Sequence, residues 1–203
     1  MSTYPIFSNN KKQTLVFYSC PKNANTSVKL FFARHLGIEN NFYFIEDEIP
    51  KYMKEESHKK RMEIKEKNKK TNLINIWPNH QKFSKTDSTF KCCIIRCPIE
   101  RFLSAYKNRI LYHKDDAFKN LSIDKVIENL INNNIENLHF LPQTYYLGNN
   151  LKYFDCCVDI KNIQKFIDYV NNFFGIEKEF PKLQTGGNNN IVDLTAKQIE
   201  NLK

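Results

Sequence analysis

Apolar positions along this chain gather into short runs separated by polar, turn-forming stretches. Thr14 to Cys20 (TLVFYSC) is β-branched and aromatic, which predicts a buried strand. The turn-like Pro21-Lys22-Asn23-Ala24-Asn25 follows. Thr26 to Leu36 then takes helical spacing, with Val28, Leu30, Phe31, Phe32 and Leu36 largely on one face and Gly37 as the stop. Glu46 to Thr71 is dense in Lys and Glu and reads as a charged helical insertion at about 46–71. Asn72 to Trp77 predicts a second strand, ending in Pro78-Asn79-His80. Phe90 to Ile95 predicts a third, followed at once by Arg96-Cys97-Pro98 and by helical spacing over Ile99 to Tyr112. Ser122 to Ile135 predicts a helix with Ser122 as its cap, and Leu138 to Leu147 is an aromatic stretch containing Pro142. Tyr153 to Asp159 predicts a fourth strand. Ile163 to Phe174 predicts an amphipathic helix closed by Gly175, and a last helix begins at Leu194 with Thr195 near its cap.

Strands alternating with helices, without internal repeats, predict a single α/β domain over 1–203 with a mostly parallel central sheet flanked by helices. In such sheets ligands bind at the carboxyl ends of the strands. Three loops that follow predicted strands are unusually polar: 21–27, 78–82 and 96–104. Parallel strands would deliver all three to one edge.

Composition adds a sign to that edge. The chain has 203 residues, with 31 Lys+Arg against 22 Asp+Glu and a formal net charge of +9. This suggests an anionic partner, although abundant Lys and Asn also fit a compositional drift. No apolar run approaches the ~18 residues that a transmembrane helix needs. The polar Met1 to Thr14 does not read as a signal peptide. The six cysteines (Cys20, Cys92, Cys93, Cys97, Cys156, Cys157) lack zinc-site spacing and read as reduced thiols, mostly in the core, of a cytoplasmic protein.

The chemistry lies in two loops. Pro21 to Ser27 (PKNANTS) enters a helix, where backbone N–H groups and the helix dipole favour an anion. Lys22 adds a full charge, and Thr26 and Ser27 add hydroxyls. The glycines of a Walker A loop are absent, and an ordinary capped loop is the alternative reading. In the second segment, Arg96 stands at a strand end, placed for a bidentate phosphate contact, and Ser104 lies eight residues on. The alternative there is an Arg–Glu surface pair before a Pro-initiated helix.

Taken together, the segments resemble the nucleotide-binding motifs of sulfotransferases that use 3′-phosphoadenosine 5′-phosphosulfate (PAPS). The likeness is closest to the carbohydrate sulfotransferases of the heparan 2-O, chondroitin and HNK-1 types and to their small bacterial relatives. The first motif, P-K-x-A-x-T-S, stands here as Pro21 to Ser27. The second, R-x-P-x-x-R-x-x-S-x-Y, runs from Arg96 to Tyr106. His139-Phe140-Leu141-Pro142-Gln143 is similar to a third stretch, H-x-x-P-Q. The resemblance implies the sulfotransferase fold, related to the P-loop kinases. It implies that Pro21, Lys22, Asn23, Ala24, Asn25, Thr26 and Ser27 hold the 5′-phosphosulfate, and that Arg96 and Ser104 hold the 3′-phosphate. It implies a hydroxyl or amine acceptor, commonly on a carbohydrate, with the bisphosphate PAP as product and no metal.

Lysine suits the charge that builds on a leaving phosphate oxygen, which points to Lys22. A base of near-neutral pKa suits the acceptor proton, which points to histidine. His80, between the two motifs, is the first candidate base, and His139 the second. His139 and Gln143 are candidate acceptor contacts. His35 reads as structural, His58 as solvated, and His113 has no evident role. Gln184 to Asn190, with Gly186-Gly187, occupies the place of a loop that closes over the nucleotide, or is a surface loop. Two other classes stay open: a kinase-like nucleotide enzyme, with Asp155 or Asp159 as magnesium ligands, and a basic domain binding acidic glycan or nucleic acid through the charged segment. The resemblance favours an acceptor glycan or small hydroxyl or amine compound as partner, not nucleic acid. Acceptor identity and oligomeric state have no readable motif.

Overall fold

The computed structural model describes residues 4–8, 14–35, 74–76, 89–119, 121–132, 134, 137–181 and 192–202. Five strands form one sheet: β1 (Tyr4–Ser8), β2 (Thr14–Tyr18), β3 (Ile74–Ile76), β4 (Thr89–Ile95) and β5 (Cys156–Asp159), in the order β3-β1-β2-β4-β5. β2, β4 and β5 run parallel, with Leu15 opposite Phe90 and Ile95 opposite Asp159. β1 lies antiparallel to both β2 and β3. Helices α1 (Asn25–His35), α2 (Pro98–Tyr106), α3 (Ile123–Ile131), α4 (Gln143–Leu147), α5 (Ile163–Phe174) and α6 (Ala196–Asn201) accompany the sheet. The result is an α/β fold with a small parallel centre and flanking helices.

The parallel strands are apolar on both faces because both faces are covered. Leu15 and Phe17 of β2 meet Val28, Phe31 and Phe32 of α1 and Phe166 and Val170 of α5 in one layer. Val16 and Tyr18 meet Cys93, Tyr146, Leu147 and Phe154 in the other. A third cluster joins α2 and α3 through Phe102, Ala105, Val126, Ile127, Phe118 and Phe140. The aliphatic and aromatic run of each strand is therefore its burial record.

Local chemistry sets the helix ends. The Ser122 hydroxyl accepts from Lys125 N–H at 3.3 Å, as its capping position predicts. Thr195 and Gln198 complete a reciprocal capping box on α6. Gly175 closes α5 in the left-handed conformation, at φ 68°. Pro98 starts α2 at its first position, where its missing N–H costs nothing.

Three elements differ from expectation. β1 forms within a stretch read only as polar, and Pro5 sits inside it, opposite Asn75. Proline argues against a strand from sequence, so pairing on both sides supplies what local pattern does not. The helix expected over Ile99 to Tyr112 is α-helical only to Tyr106 and continues as a π-helical stretch, Lys107–Tyr112. Tyr153 belongs to a 3₁₀ turn before β5 rather than to the strand. The charged segment 46–71, the loop 78–82 and the 184–190 loop lie outside the described residues.

The six cysteines are unpaired thiols, and Cys20, Cys92, Cys93 and Cys156 are buried. Cys93 and Cys157 face each other in register, and their hydrogen bond lowers the Cys157 thiol. Lys91, within β4, is wholly buried with its ammonium 4.8 Å from the Tyr153 ring centre.

Candidate functional site

Because β2 and β4 are parallel neighbours, the segments that follow them leave the same edge of the sheet. Residues 21–24 turn sharply between β2 and α1. Asn23 N–H donates to the Cys20 carbonyl at 3.2 Å, and Val28 N–H donates to the Ala24 carbonyl at 2.9 Å. Lys22 and Ala24 hold positive φ, 70° and 58°. These are left-handed conformations that non-glycine residues adopt at a cost of order 1–2 kcal/mol. The turn thus takes glycine-like geometry without glycine and leads straight into the N-terminus of α1.

The second segment packs directly against it. The Arg96 guanidinium donates through Nη1 to the Lys22 carbonyl at 3.1 Å. Its Nε is buried and makes no hydrogen bond. Glu100 approaches that nitrogen only to 3.8 Å and pairs more closely with Lys161, at 2.7 Å. The Arg–Glu pair of the alternative reading is therefore present but long, and Arg96 keeps an unmet buried donor. Such a donor asks for an acceptor. Ser104 lies half-buried on α2, two turns beyond Arg96.

The third motif lies across the other two. The Gln143 Oε1 atom accepts from Asn23 Nδ2 at 2.7 Å and from the Arg96 amide at 3.0 Å. Its Nε2 donates to the Arg96 carbonyl at 2.7 Å. Asn23 Nδ2 also donates to the Ile94 carbonyl at 2.8 Å. Arg101, 5% exposed, donates to the Pro21 and His139 carbonyls, each at 3.1 Å, and to the Leu141 carbonyl. Four side chains, those of Asn23, Arg96, Arg101 and Gln143, tie together three segments far apart in sequence. Sequence reading carried Arg101 only as a motif letter. Its fixed place five residues after Arg96 was the one available signal. A cleft of about 430 Å³ opens beside this junction, lined in part by Ile95, Arg96, Gln143, Leu147, Leu151 and Asp159.

His139 stands among charges. Burial, then the cations Lys22 and Arg109, lower its pKa to about 4, with Asp115 opposing. Asp115 itself grips Arg109 through two hydrogen bonds of 2.7 and 2.8 Å. His139 is thus a neutral imidazole at pH 7, and its Nδ1 is buried without a hydrogen bond. Cys20, adjacent to the first loop, is pushed up to about 11 by burial and stays a thiol. Asp155 accepts from the Lys91 amide and Asp159 from the Lys161 amide, each at 2.8 Å, so both carboxylates engage backbone. His80, the first candidate base, lies outside the described residues. His35 is structural, as expected: it stacks on Phe174 with ring centres 4.6 Å apart, and burial lowers it to about 4.

The two histidines imply a pH dependence of stability. Each is harder to protonate in the fold than in the unfolded chain, whose histidines titrate near ~6.5. The unfolded state therefore binds more protons between about pH 4 and ~6.5, and stability rises with pH across that window. Thermal unfolding at pH 5, 6 and 7 is expected to show a rising midpoint, flattened in His35→Phe. An unchanged slope in that variant would remove His35 from the account.

This is an α/β domain that brings two cationic loops together at the carboxyl edge of its parallel strands. Residues 6–199 match the model described as the sulfotransferase family, and the chain belongs to that family. No curated protein and no solved structure matches it. Membership carries the reaction class, sulfuryl transfer, and the matched span contains both loops and the brace between them. Among the described residues, no helix is long and apolar enough to cross a membrane.

Proposed function

We propose that the chain transfers the sulfuryl group of PAPS to a hydroxyl or amine of an acceptor, releasing PAP. The observation that carries this reading is the abutment of the two loops, with Arg96 Nη1 on the Lys22 carbonyl at 3.1 Å. A ligand with an anion at each end matches two such neighbours. The orphaned Arg96 Nε adds a donor suited to a phosphate oxygen.

Residues 21–27 would hold the 5′-phosphosulfate, with Lys22 as its cation and Thr26 and Ser27 as hydroxyl donors. Arg96 and Ser104 would hold the 3′-phosphate. When bound, PAPS supplies the activated sulfuryl group. Lys22 stabilises negative charge developing on the leaving oxygen. A neutral imidazole accepts the proton of the acceptor group. His80 is the first choice for that role; His139 is the described second candidate, but burial and the nearby Lys22 and Arg109 cations lower it to about 4 and make it the weaker base. Lysine, arginine and helix-terminal amides meet the phosphate charge, so this reading needs no metal. The motif likeness to carbohydrate sulfotransferases makes a glycan, lipid-linked sugar or small metabolite the acceptor class. The unpaired thiols favour a cytoplasmic setting.

Calorimetric titration with PAP, ATP and AMP tests the reading. PAP is expected to bind tightest, and Arg96→Ala to weaken it about 100-fold, in line with ~1.5–3 kcal/mol per hydrogen bond to a charged group. Equal or tighter ATP binding would favour a kinase-like enzyme. Absence of all nucleotide binding would move attention to a basic domain for acidic glycan or nucleic acid.

A further inference from the structure

We infer that Gln143 is a positioning residue that sets the spacing between the two anion loops, so that they receive a two-ended ligand as one preformed unit. The inference rests on the PAPS reading for its ligand, and on hydrogen bonds alone for its geometry. One carboxamide reaches both loops. Its oxygen takes the Asn23 side chain of the first and the Arg96 amide of the second, and its nitrogen returns to the Arg96 carbonyl. The Arg96 backbone is thus clamped on both its donor and its acceptor. Pro142 caps α4 in an extended conformation just before Gln143, so the side chain springs from a fixed helix start. These contacts are with the protein itself, which gives Gln143 a task apart from the acceptor contact expected of it.

The consequence is selective. A ligand anchored at one end needs only one loop in place. A ligand anchored at both ends needs their separation, and preformed separation removes an ordering cost that binding would otherwise carry. Loss of the clamp should therefore weaken PAP more than AMP.

Gln143→Met keeps the length and apolar volume of the side chain and removes its hydrogen bonds. Gln143→Glu keeps both acceptor bonds and replaces the donor with a charged oxygen that faces the Arg96 carbonyl. Phe173→Ala is the control, since Phe173 packs on Phe90 at the opposite end of β4, with ring centres 5.8 Å apart. PAP affinity is expected to fall at least tenfold more than AMP affinity in Gln143→Met, and to an equal degree for both ligands in Phe173→Ala. Equal losses for the two ligands in Gln143→Met would overturn the inference. Amide hydrogen exchange supplies an arm without nucleotide. The amides of Arg96 and of residues 22–24 are expected to exchange at least tenfold faster together in Gln143→Met, with the Arg96 amide protected again in Gln143→Glu. Unchanged protection in Gln143→Met would overturn the clamp whatever the ligands do. If the unmodified protein binds neither nucleotide, the PAPS reading fails and the exchange result alone decides whether Gln143 couples the loops.

Discussion

Lys22→Ala is expected to lower turnover about 10²–10³-fold, the loss typical of removing one donor aimed at charge that forms in the transition state. Alanine is the informative replacement because Lys22 holds φ 70°. Alanine retains the Cβ and hence the left-handed strain, so the difference reports the ammonium rather than a relaxed loop. On the proposed reading PAP affinity should fall far less than turnover, because amides, hydroxyls and Arg96 would still hold the phosphates. The check is kcat and KM for sulfuryl transfer to a generic acceptor, beside a PAP titration. A loss confined to KM would mean that Lys22 binds ground and transition states alike, and would remove it from the catalytic role.

Arg101→Ala is expected to be the most destabilising single change among the residues of the two loops. Its guanidinium serves three carbonyls, those of Pro21, His139 and Leu141, from a buried position. A buried acceptor left unmet costs ~1–3 kcal/mol, and the three losses are not additive, so about 3 kcal/mol is expected. In a domain of this size that lowers the melting temperature by roughly 6–12 °C. Arg101→Lys keeps a charge but has no planar fork, and is expected to recover less than half of the loss. A drop under about 3 °C in Arg101→Ala would show that water or a shifted neighbour replaces the guanidinium. The same experiment separates Arg101 from Arg96, whose loss should act on ligand affinity with little change in melting.

The three parallel strands were legible because burial on both faces writes itself as continuous apolar runs, Leu15 to Tyr18 above all. α5 and its Gly175 stop were equally open to reading. The adjacency of the two loops followed from the parallel strands that precede them, and their motifs stand out because an anion cradle would need a cation and hydroxyls at short spacing. β1 was not legible, since Pro5 contradicts local strand chemistry and the strand exists through its neighbours. The π-helical turn at Lys107–Tyr112 leaves no mark, because Tyr106 and Ile110 keep an ordinary helical spacing. The brace was least legible. Gln143 meets Asn23 across 120 residues of chain and Arg96 across 47, and hydrogen bonds at such separations have no local signature.

The left-handed turn at Lys22 and Ala24 bears on how the protein tolerates change. Glycine would sit there without strain, yet it would also widen the range of shapes open to the unfolded chain, and these two effects oppose each other. A loop built from side-chain-bearing residues keeps its shape between turnovers at the expense of some folded-state strain. The strain of ~1–2 kcal/mol exceeds the ~0.4–1 kcal/mol of chain entropy, so laboratory selection for thermal stability would reach for glycine at Ala24 early, and the variants it returned would carry a softer loop along with their higher melting point.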